Sequence, residues 1–209
     1  MIEKPDKKLN VIMIVVDGAR VDRIKKSKEF TNVIKQGTTF TNMFTYAPYT
    51  LASMGATFSG IYGNRNGVDA YNKMFQYSDK VKFLSEYLKE NGWYTRGDTM
   101  RLSIVPERGF DKLTSQDERE ENCISAHKRI VNSLSSNKNS PFFLYLHYSE
   151  IHNSMVDDVF NKYDDFSEEY FSNLEENKRN YDSYIKDAGL YLKEILDEIK
   201  RLNHFDDSI

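Results

Sequence analysis

An aspartate, a threonine and two histidines occupy positions in this sequence where such side chains could do chemistry. Asp17 directly follows the apolar run Val11–Val16, and its carboxylate could bind a hard or borderline cation. Thr50 precedes a helical pattern, and its hydroxyl could act as a nucleophile once a base or a metal lowered its pKa. His147 ends a second apolar run and His152 follows in the predicted loop after it. A helix N-terminus at Thr50 would also favour an anionic ester as substrate.

Each of these residues also has a structural interpretation. Asp17 could form a turn with Gly18 or cap a helix, and Thr50 could simply cap the helix that it precedes. Histidines are more often structural or surface residues than metal ligands, and two of the four at one strand exit are a weak metal signal. The acidic run 157–169 is interpreted as a solvated loop and helix start without a ligand role. Residue types alone leave these alternatives open.

The elements that must position these residues alternate between strands and helices. Buried parallel strands are predicted at 11–16 and 142–148, and further strands at 38–44 and 93–96. Helices are predicted at 29–36, after Thr50, and at 79–91, 118–134 and 168–202. This alternation predicts an α/β fold with a mostly parallel sheet sandwiched between helices. Ligands in such folds bind beyond the carboxyl ends of the strands, which is where the four candidate residues lie.

Length and charge exclude several other classes of protein. The 209 residues suit one sizeable domain or part of a larger one, and the net charge of −3 with interspersed signs argues against a nucleic-acid partner. The longest apolar run is too short to cross a membrane, and the first residues do not have the pattern of a signal peptide. Cys123 is the single cysteine and cannot form an internal disulfide, so we expect a cytoplasmic location.

The order of these segments along the chain resembles the sulfatase branch of the alkaline-phosphatase superfamily. The first strand with its metal-binding aspartate, the nucleophile segment, the helix-to-strand join and the strand that ends near a histidine all have counterparts. The similar segments are residues 10–22, 30–42, 47–60, 84–95, 109–111, 141–152 and 181–187. The resemblance therefore covers nearly the whole chain.

This resemblance implies a role for each candidate residue. Asp17 and Thr50 would hold a divalent metal ion, which could be Ca²⁺, Mg²⁺, Mn²⁺ or Zn²⁺. Thr50 stands at the nucleophile position and would attack the sulfur or phosphorus of a small-molecule sulfate or phosphate ester. His152 would bind the oxygens of the anion or protonate the leaving group. His147 would bind substrate or support the site from behind.

The sequence also departs from the family pattern. Gly18 stands where many sulfatases have a second aspartate, and the proline and arginine that follow the nucleophile are absent from 50–54. Residues 97–100 replace the family's Lys-Trp-His stretch. A threonine cannot be converted to formylglycine as the sulfatase nucleophile is. A threonine at the nucleophile position resembles the phosphate-transferring relatives, such as lipoteichoic-acid synthases and phosphoethanolamine transferases, which are usually membrane-anchored.

The end of the sequence carries a further expectation. Residues 203–209 resemble the approach to a strand that ends in Ser-Asp-His-Gly, whose aspartate and histidine complete the metal site in the family. We therefore expect residues 1–209 to form a single N-terminal sulfatase-like domain that is C-terminally incomplete and inactive alone. A complementing C-terminal segment or a second copy is then the expected partner. The alternative is a non-catalytic remnant of the fold that binds an anion or a partner.

Overall fold

Strands and helices alternate along the chain in the computed structural model, which describes residues 8–69, 76–115, 121–135, 140–163 and 167–209. The strands are β1 (Val11–Val16), β2 (Tyr94–Thr99), β3 (Lys112–Ser115) and β4 (Phe142–Tyr148). The helices are α1 (Lys28–Ile34), α2 (Thr50–Ser59), α3 (Gly63–Asn66), α4 (Leu84–Glu90), α5 (Cys123–Leu134), α6 (Glu150–Tyr163), α7 (Glu168–Ser172) and α8 (Leu174–Arg201). None of these helices is long and apolar enough to span a membrane.

The strands form one sheet in the order β1-β4-β2-β3, and every strand pair in it is parallel. Val11 pairs with Phe143 and Val16 with Tyr148, so β1 and β4 end at the same edge of the sheet. β4 lies between two strands and all seven of its residues are buried, as expected for a continuous apolar run in a parallel sheet. The α/β fold predicted from the sequence is confirmed, and so are the bounds of β1 and β4.

Helices cover both faces of the sheet because successive strand residues point to opposite faces. On one face the alternate β4 residues Phe142, Leu144 and Leu146 pack in a core with residues of α1, α5, α6 and α8. On the other face Phe143 and Tyr145 pack with Phe58 of α2 and with side chains near α4. The second face carries His147, which shares the alternation of Phe143 and Tyr145. The sheet therefore directs His147 to the α2 side of the molecule.

The outer edge of β1 is only partly paired. Ser208 forms a parallel bridge with Asn10, and the N–H of Ile12 donates to the carbonyl of Ile209 at 2.8 Å. Asp17 N–H donates to Tyr148 of β4, so the backbone groups of alternate residues from Asn10 onward face away from β4. Beyond Ile12, the backbone groups of Ile14 and the N–H of Val16 face an edge with which no other described residue pairs, called here the open edge of β1.

The segment 38–44 was predicted as a strand, and that prediction is wrong. These residues form an irregular loop, and none of the described strands pairs with them. Their alternating apolar side chains do not enter the core, since Phe44 is 91% exposed and Phe40 and Met43 are also exposed. The alternation is that of a strand, but none of the strands that the structure describes lies beside it to accept its backbone hydrogen bonds.

Helix bounds also differ from the sequence predictions. The helix predicted at 79–91 begins only at Leu84, because the carboxylate of Glu86 accepts from the N–H of Phe83 and closes its N-terminus. The helix predicted at 168–202 is interrupted at Asn173, which separates α7 from α8. The predicted start of α5 at residue 118 lies outside the described residues. β3 was not predicted, because residues 112–115 are short and mostly polar.

Candidate functional site

Asp17 and Thr50 meet at the carboxyl edge of the sheet. β1 ends immediately before Asp17, and Thr50 is the first residue of α2. The Thr50 Oγ1 hydroxyl donates a hydrogen bond to Asp17 Oδ2 at 2.8 Å, across 33 residues of sequence. Asp17 and Thr50, which were identified separately in the sequence, therefore bring two side-chain oxygen atoms within hydrogen-bond distance.

The capping interpretation of Thr50 does not describe its side chain. The N-cap of α2 is Tyr49, and no side chain forms a capping hydrogen bond there. Thr50 instead directs its hydroxyl to Asp17. The first N–H groups of a helix have no acceptors within the helix and carry positive potential. The arrangement therefore combines a hydroxyl, a carboxylate and the N-terminus of a ten-residue helix.

His147 lies on the buried side of Asp17. Its side chain is 0% exposed, and its Nε2 lies 3.4 Å from Asp17 Oδ2. Its Nδ1 lies 2.7 Å from the hydroxyl of Tyr145, which is also fully buried. Both ring nitrogens thus have protein partners, so the geometry favours the supporting role for His147 over direct contact with substrate.

Asp17 is held as a carboxylate by these neighbours. Burial by itself would raise the pKa of Asp17, but the hydrogen bonds from His147 and Thr50 lower it, and the imidazoles of His147 and His152 act in the same direction. The balance leaves the pKa of Asp17 below its ordinary value. Burial raises the pKa of Tyr145 and the nearby Asp17 carboxylate adds to this, so that hydroxyl keeps its proton.

His152 lies in helix α6, so its predicted position in a loop is wrong. Ile151 and Val159 are buried at helical spacing, and Glu150 in the first turn favours the helix N-terminus. The helix was not predicted because this segment is rich in polar residues. Residues 157–163 of the acidic run 157–169 belong to α6 as well. His152 itself is exposed near the first turn, at the same end of the sheet as Asp17.

Gly18 adopts a backbone conformation that explains the missing second aspartate. Its φ of +78° lies in the left-handed region, and a Cβ there would come within 3.2 Å of the Ile151 side chain. Tyr181 of α8 donates its hydroxyl to the Gly18 carbonyl and accepts from the N–H of Arg20 at 2.9 Å. The loop after Asp17 is therefore tied to α6 and α8, and its backbone disfavours an aspartate at position 18.

The donor atoms at this site suit a divalent cation in kind but not in number. Asp17 Oδ2 accepts both hydrogen bonds, and Oδ1 accepts none from the described residues. A carboxylate oxygen and a hydroxyl are ligands that Mg²⁺, Ca²⁺ and Mn²⁺ prefer. Within the part of the chain that the structure describes, no three His, Cys, Asp or Glu side chains are grouped to hold a metal. A cation here would therefore need further ligands from elsewhere.

Comparison of the sequence with known protein families identifies one matching family. The sequence profile of the family described as Sulfatase matches residues 10–209. This chain belongs to the sulfatase family. The comparison with curated proteins found no match. The matched range includes both Asp17 and Thr50.

Solved structures share this sulfatase fold at low sequence identity. A 2-O GAG sulfatase superimposes with a TM-score of 0.75 at 13% identity, over 97% of this chain and 56% of its own. The yidJ protein of Bacteroides fragilis gives 0.68 at 17%, over 100% and 62%. The lipoteichoic acid synthase LtaP of Listeria monocytogenes gives 0.61 at 14%, over 96% and 54%. This sulfatase-family chain thus spans little more than half the length of these structures.

A buried polar cluster in this sulfatase-family chain was not found from the sequence. At the end of β2, Asp98 contacts His127 of α5 with Oδ2 and Nε2 3.2 Å apart, and His127 Nδ1 lies 2.7 Å from the Tyr191 hydroxyl. Asp98 lies where the family's Lys-Trp-His stretch is expected, but it points to the α5 face of the sheet, away from Thr50. The cluster is built from residues distant in sequence, so no local pattern could have indicated it.

Proposed function

We propose that this chain carries the nucleophile side of a metal-dependent hydrolase or transferase acting on sulfate or phosphate esters. Family membership supports the sulfate-ester type of activity in general. The observation that supports Thr50 as nucleophile is its 2.8 Å hydrogen bond to Asp17 at the N-terminus of α2. His152 is exposed and contributes to lowering the pKa of Asp17, and the buried His147 contacts Asp17 Oδ2.

The reaction would begin with in-line attack by Thr50. The Thr50 hydroxyl proton passes to Asp17 Oδ2, the acceptor of its hydrogen bond, and from there to water. A bond forms between Thr50 Oγ1 and the phosphorus or sulfur, and the bond from that atom to the leaving oxygen breaks. The exposed imidazole of His152 is the candidate acid that gives a proton to the leaving alcohol. Water then hydrolyses the covalent ester and returns the Thr50 hydroxyl, or an acceptor alcohol does so in a transferase. The first N–H groups of α2 would stabilise the anion's oxygens.

Asp17 and Thr50 are the residues that would hold the metal ion. When bound, a divalent cation lowers the pKa of a coordinated hydroxyl and neutralises anionic charge. The lowered pKa of Asp17 keeps its carboxylate ionised and ready for this role. With one carboxylate and one hydroxyl only, a cation would be held weakly and mostly by water.

We propose that a segment pairing with the open edge of β1 completes the site. Residues 208–209 already lie parallel to the start of β1. A strand that continued in this register would run beside residues 12–16 and end next to Asp17, where further ligands are needed. Residues 1–209 would then be one partial domain, completed by a C-terminal segment or by a second copy of the chain.

The first prediction concerns substrate and nucleophile together. A polypeptide that contains residues 1–209 together with the segment proposed to complete the site should hydrolyse aryl phosphodiesters or monoesters faster than aryl sulfates, because Thr50 cannot become formylglycine. Turnover should require Mg²⁺, Mn²⁺, Ca²⁺ or Zn²⁺, and the 209-residue chain alone should show little. Thr50→Ala should reduce turnover to the background of the metal alone, while Thr50→Ser should retain part of it.

Thr57→Ala is the matched control, since Thr57 is an exposed hydroxyl residue two turns along α2 that bonds only Ser53 among the described residues. It should keep wild-type turnover. Full activity of the Thr50→Ala variant would contradict the proposal. A longer polypeptide with no ester turnover under any metal would instead favour a non-catalytic anion-binding role.

A further inference from the structure

Four side chains at the site form one continuous line of contacts from the core to the surface. The Tyr145 hydroxyl lies 2.7 Å from His147 Nδ1, and His147 Nε2 lies 3.4 Å from Asp17 Oδ2. Thr50 Oγ1 donates to the same Asp17 oxygen at 2.8 Å. The proposed function uses Asp17 and Thr50 and gives no role to Tyr145.

The hydrogen-bonding chemistry of Asp17 and Tyr145, which lie on either side of His147, determines which ring nitrogen of His147 carries a hydrogen. A carboxylate can only accept, so the His147 nitrogen that faces Asp17 carries a hydrogen. The other nitrogen then carries the lone pair and accepts from the Tyr145 hydroxyl. Among the described residues, the only other hydrogen-bond neighbour of that hydroxyl is the Met54 sulfur at 3.6 Å, which is a weak acceptor.

We propose that Tyr145 is a positioning residue of this site: by donating to His147 Nδ1 it fixes the Nε2–H tautomer and, through it, the orientation of the Asp17 carboxylate. Hydrogen bonds from His147 and Thr50 both reach Oδ2. Oδ1 accepts no hydrogen bond from the described residues, so it is the oxygen that can take a cation. The cation's part in this inference rests on the proposed function, whereas the tautomer does not.

The packing around Tyr145 makes it a rigid support. Its ring is 0% exposed and lies edge-on to Phe58 of α2 at 5.2 Å between ring centres. Tyr145 and His147 are two residues apart on β4, so both point to the same face of the sheet. Because β4 is the central strand beside β1, the sheet itself sets the distance from this pair to Asp17.

The test uses Tyr145→Phe, which removes one oxygen atom and keeps the ring. Tyr77→Phe is a matched control, because Tyr77 packs in the same core and its buried hydroxyl has no hydrogen-bond partner within the described residues. Long-range ¹H–¹⁵N NMR of the 209-residue chain reports the tautomer of each of its four histidines. His147→Gln identifies the signals of His147.

We expect wild type and Tyr77→Phe to show the hydrogen on Nε2 of His147. In Tyr145→Phe, the His147 signals should move toward a mixture of tautomers. A hydrogen on Nδ1 in wild type, or identical His147 signals in wild type and Tyr145→Phe, would overturn the proposal.

A second measurement follows the effect to Asp17. Titration with Mn²⁺ alone, read by water-proton relaxation, should give a dissociation constant about tenfold weaker for Tyr145→Phe than for wild type, since supporting hydrogen bonds tune metal affinity by this order. Tyr77→Phe should match wild type. A changed tautomer with unchanged Mn²⁺ affinity would refute the link from His147 to Asp17. Absence of Mn²⁺ binding in wild type would count against the proposed metal role, while the NMR result still decides the role of Tyr145.

Discussion

The hydrogen bond between the Thr50 hydroxyl and the Asp17 carboxylate changes how both residues are interpreted. A threonine before a helix and an aspartate after a strand are both ordinary capping and turn residues. Once the hydroxyl donates to the carboxylate, each residue modifies the other: the hydrogen bond lowers the pKa of Asp17, and the carboxylate orients Thr50 Oγ1. The same contact therefore has a consequence for stability that can be measured without substrate.

The lowered pKa of Asp17 gives a pH-dependent contribution to stability. Because the folded-state pKa lies below the unfolded value, ionised Asp17 stabilises the fold above the unfolded pKa of about 4, and this contribution is lost as pH falls through the folded pKa. The difference in free energy of unfolding between wild type and Asp17→Asn should be constant from pH 5 to 7 and should narrow below pH 4. Urea unfolding at each pH measures it.

Thr50→Val provides the comparison for that series. It keeps the carboxylate and removes one of its two hydrogen bonds, so its profile should fall between those of wild type and Asp17→Asn. Parallel profiles for all three proteins would show that Asp17 has the same pKa in the folded and unfolded states.

Helix α8 approaches helix α1 so closely that only a glycine fits at the contact. A Cβ on Gly189 would lie 2.1 Å from Ser27 Oγ, and Ser27 is the N-cap of α1 that accepts from the N–H of Phe30. Helix propensity alone predicts that Gly189→Ala stabilises α8 by about 1 kcal/mol. Overpacking costs about 1–3 kcal/mol, so we expect a net loss of stability of about 1 kcal/mol.

The double variant separates these two effects. Ser27→Gly alone should cost a few tenths of a kcal/mol, roughly the difference between serine and glycine as N-cap. Combined with Gly189→Ala, it removes the obstructing atoms and should recover most of the lost stability in urea unfolding. A Gly189→Ala protein more stable than wild type would show that the two helices separate at little cost.

The elements that could be predicted from the sequence are those whose local pattern agrees with their surroundings. β1 and β4 are apolar on both faces because helices cover both faces, so their pattern and burial coincide. Segment 38–44 has the same kind of local signal without a partner strand, and α6 has a partner but a polar composition that hid it. The proximity of Asp17 and Thr50 could be predicted because ligand sites lie beyond the carboxyl ends of parallel strands. The position of Tyr145 next to His147 could be found only from the side-chain contacts in the structure.

At the scale of the whole molecule, the open edge of β1 predicts self-association of the isolated chain. Backbone groups of Ile14 and Val16 face outward, and unpaired edges pair readily with other strands. We expect the 209-residue chain to be marginally stable and to associate with rising concentration in sedimentation velocity experiments. Ile14→Pro removes an outward N–H that forms no bond to β4, so it should reduce association.

Ile14→Ala is the control for that variant, because it loses the same side-chain packing but keeps the N–H. It should associate as wild type does. A wild-type chain that stays monomeric at high concentration and unfolds cooperatively at a high midpoint would contradict this account of the edge.

The strand order β1-β4-β2-β3 also has a consequence for how the chain is made. Of the described strands, β1 leaves the ribosome before the others, yet its inner partner β4 is encoded about 130 residues later and its outer neighbour, Ser208, is later still. At synthesis rates of about 5–20 residues per second, β1 waits roughly 7–26 s for β4. Throughout that interval the nascent chain presents six consecutive apolar residues, Val11–Val16, with no strand to pair with them. Of the described strands, the earliest to be translated is thus the last to be enclosed, and we expect chaperone binding to the nascent chain to be strongest at residues 11–16.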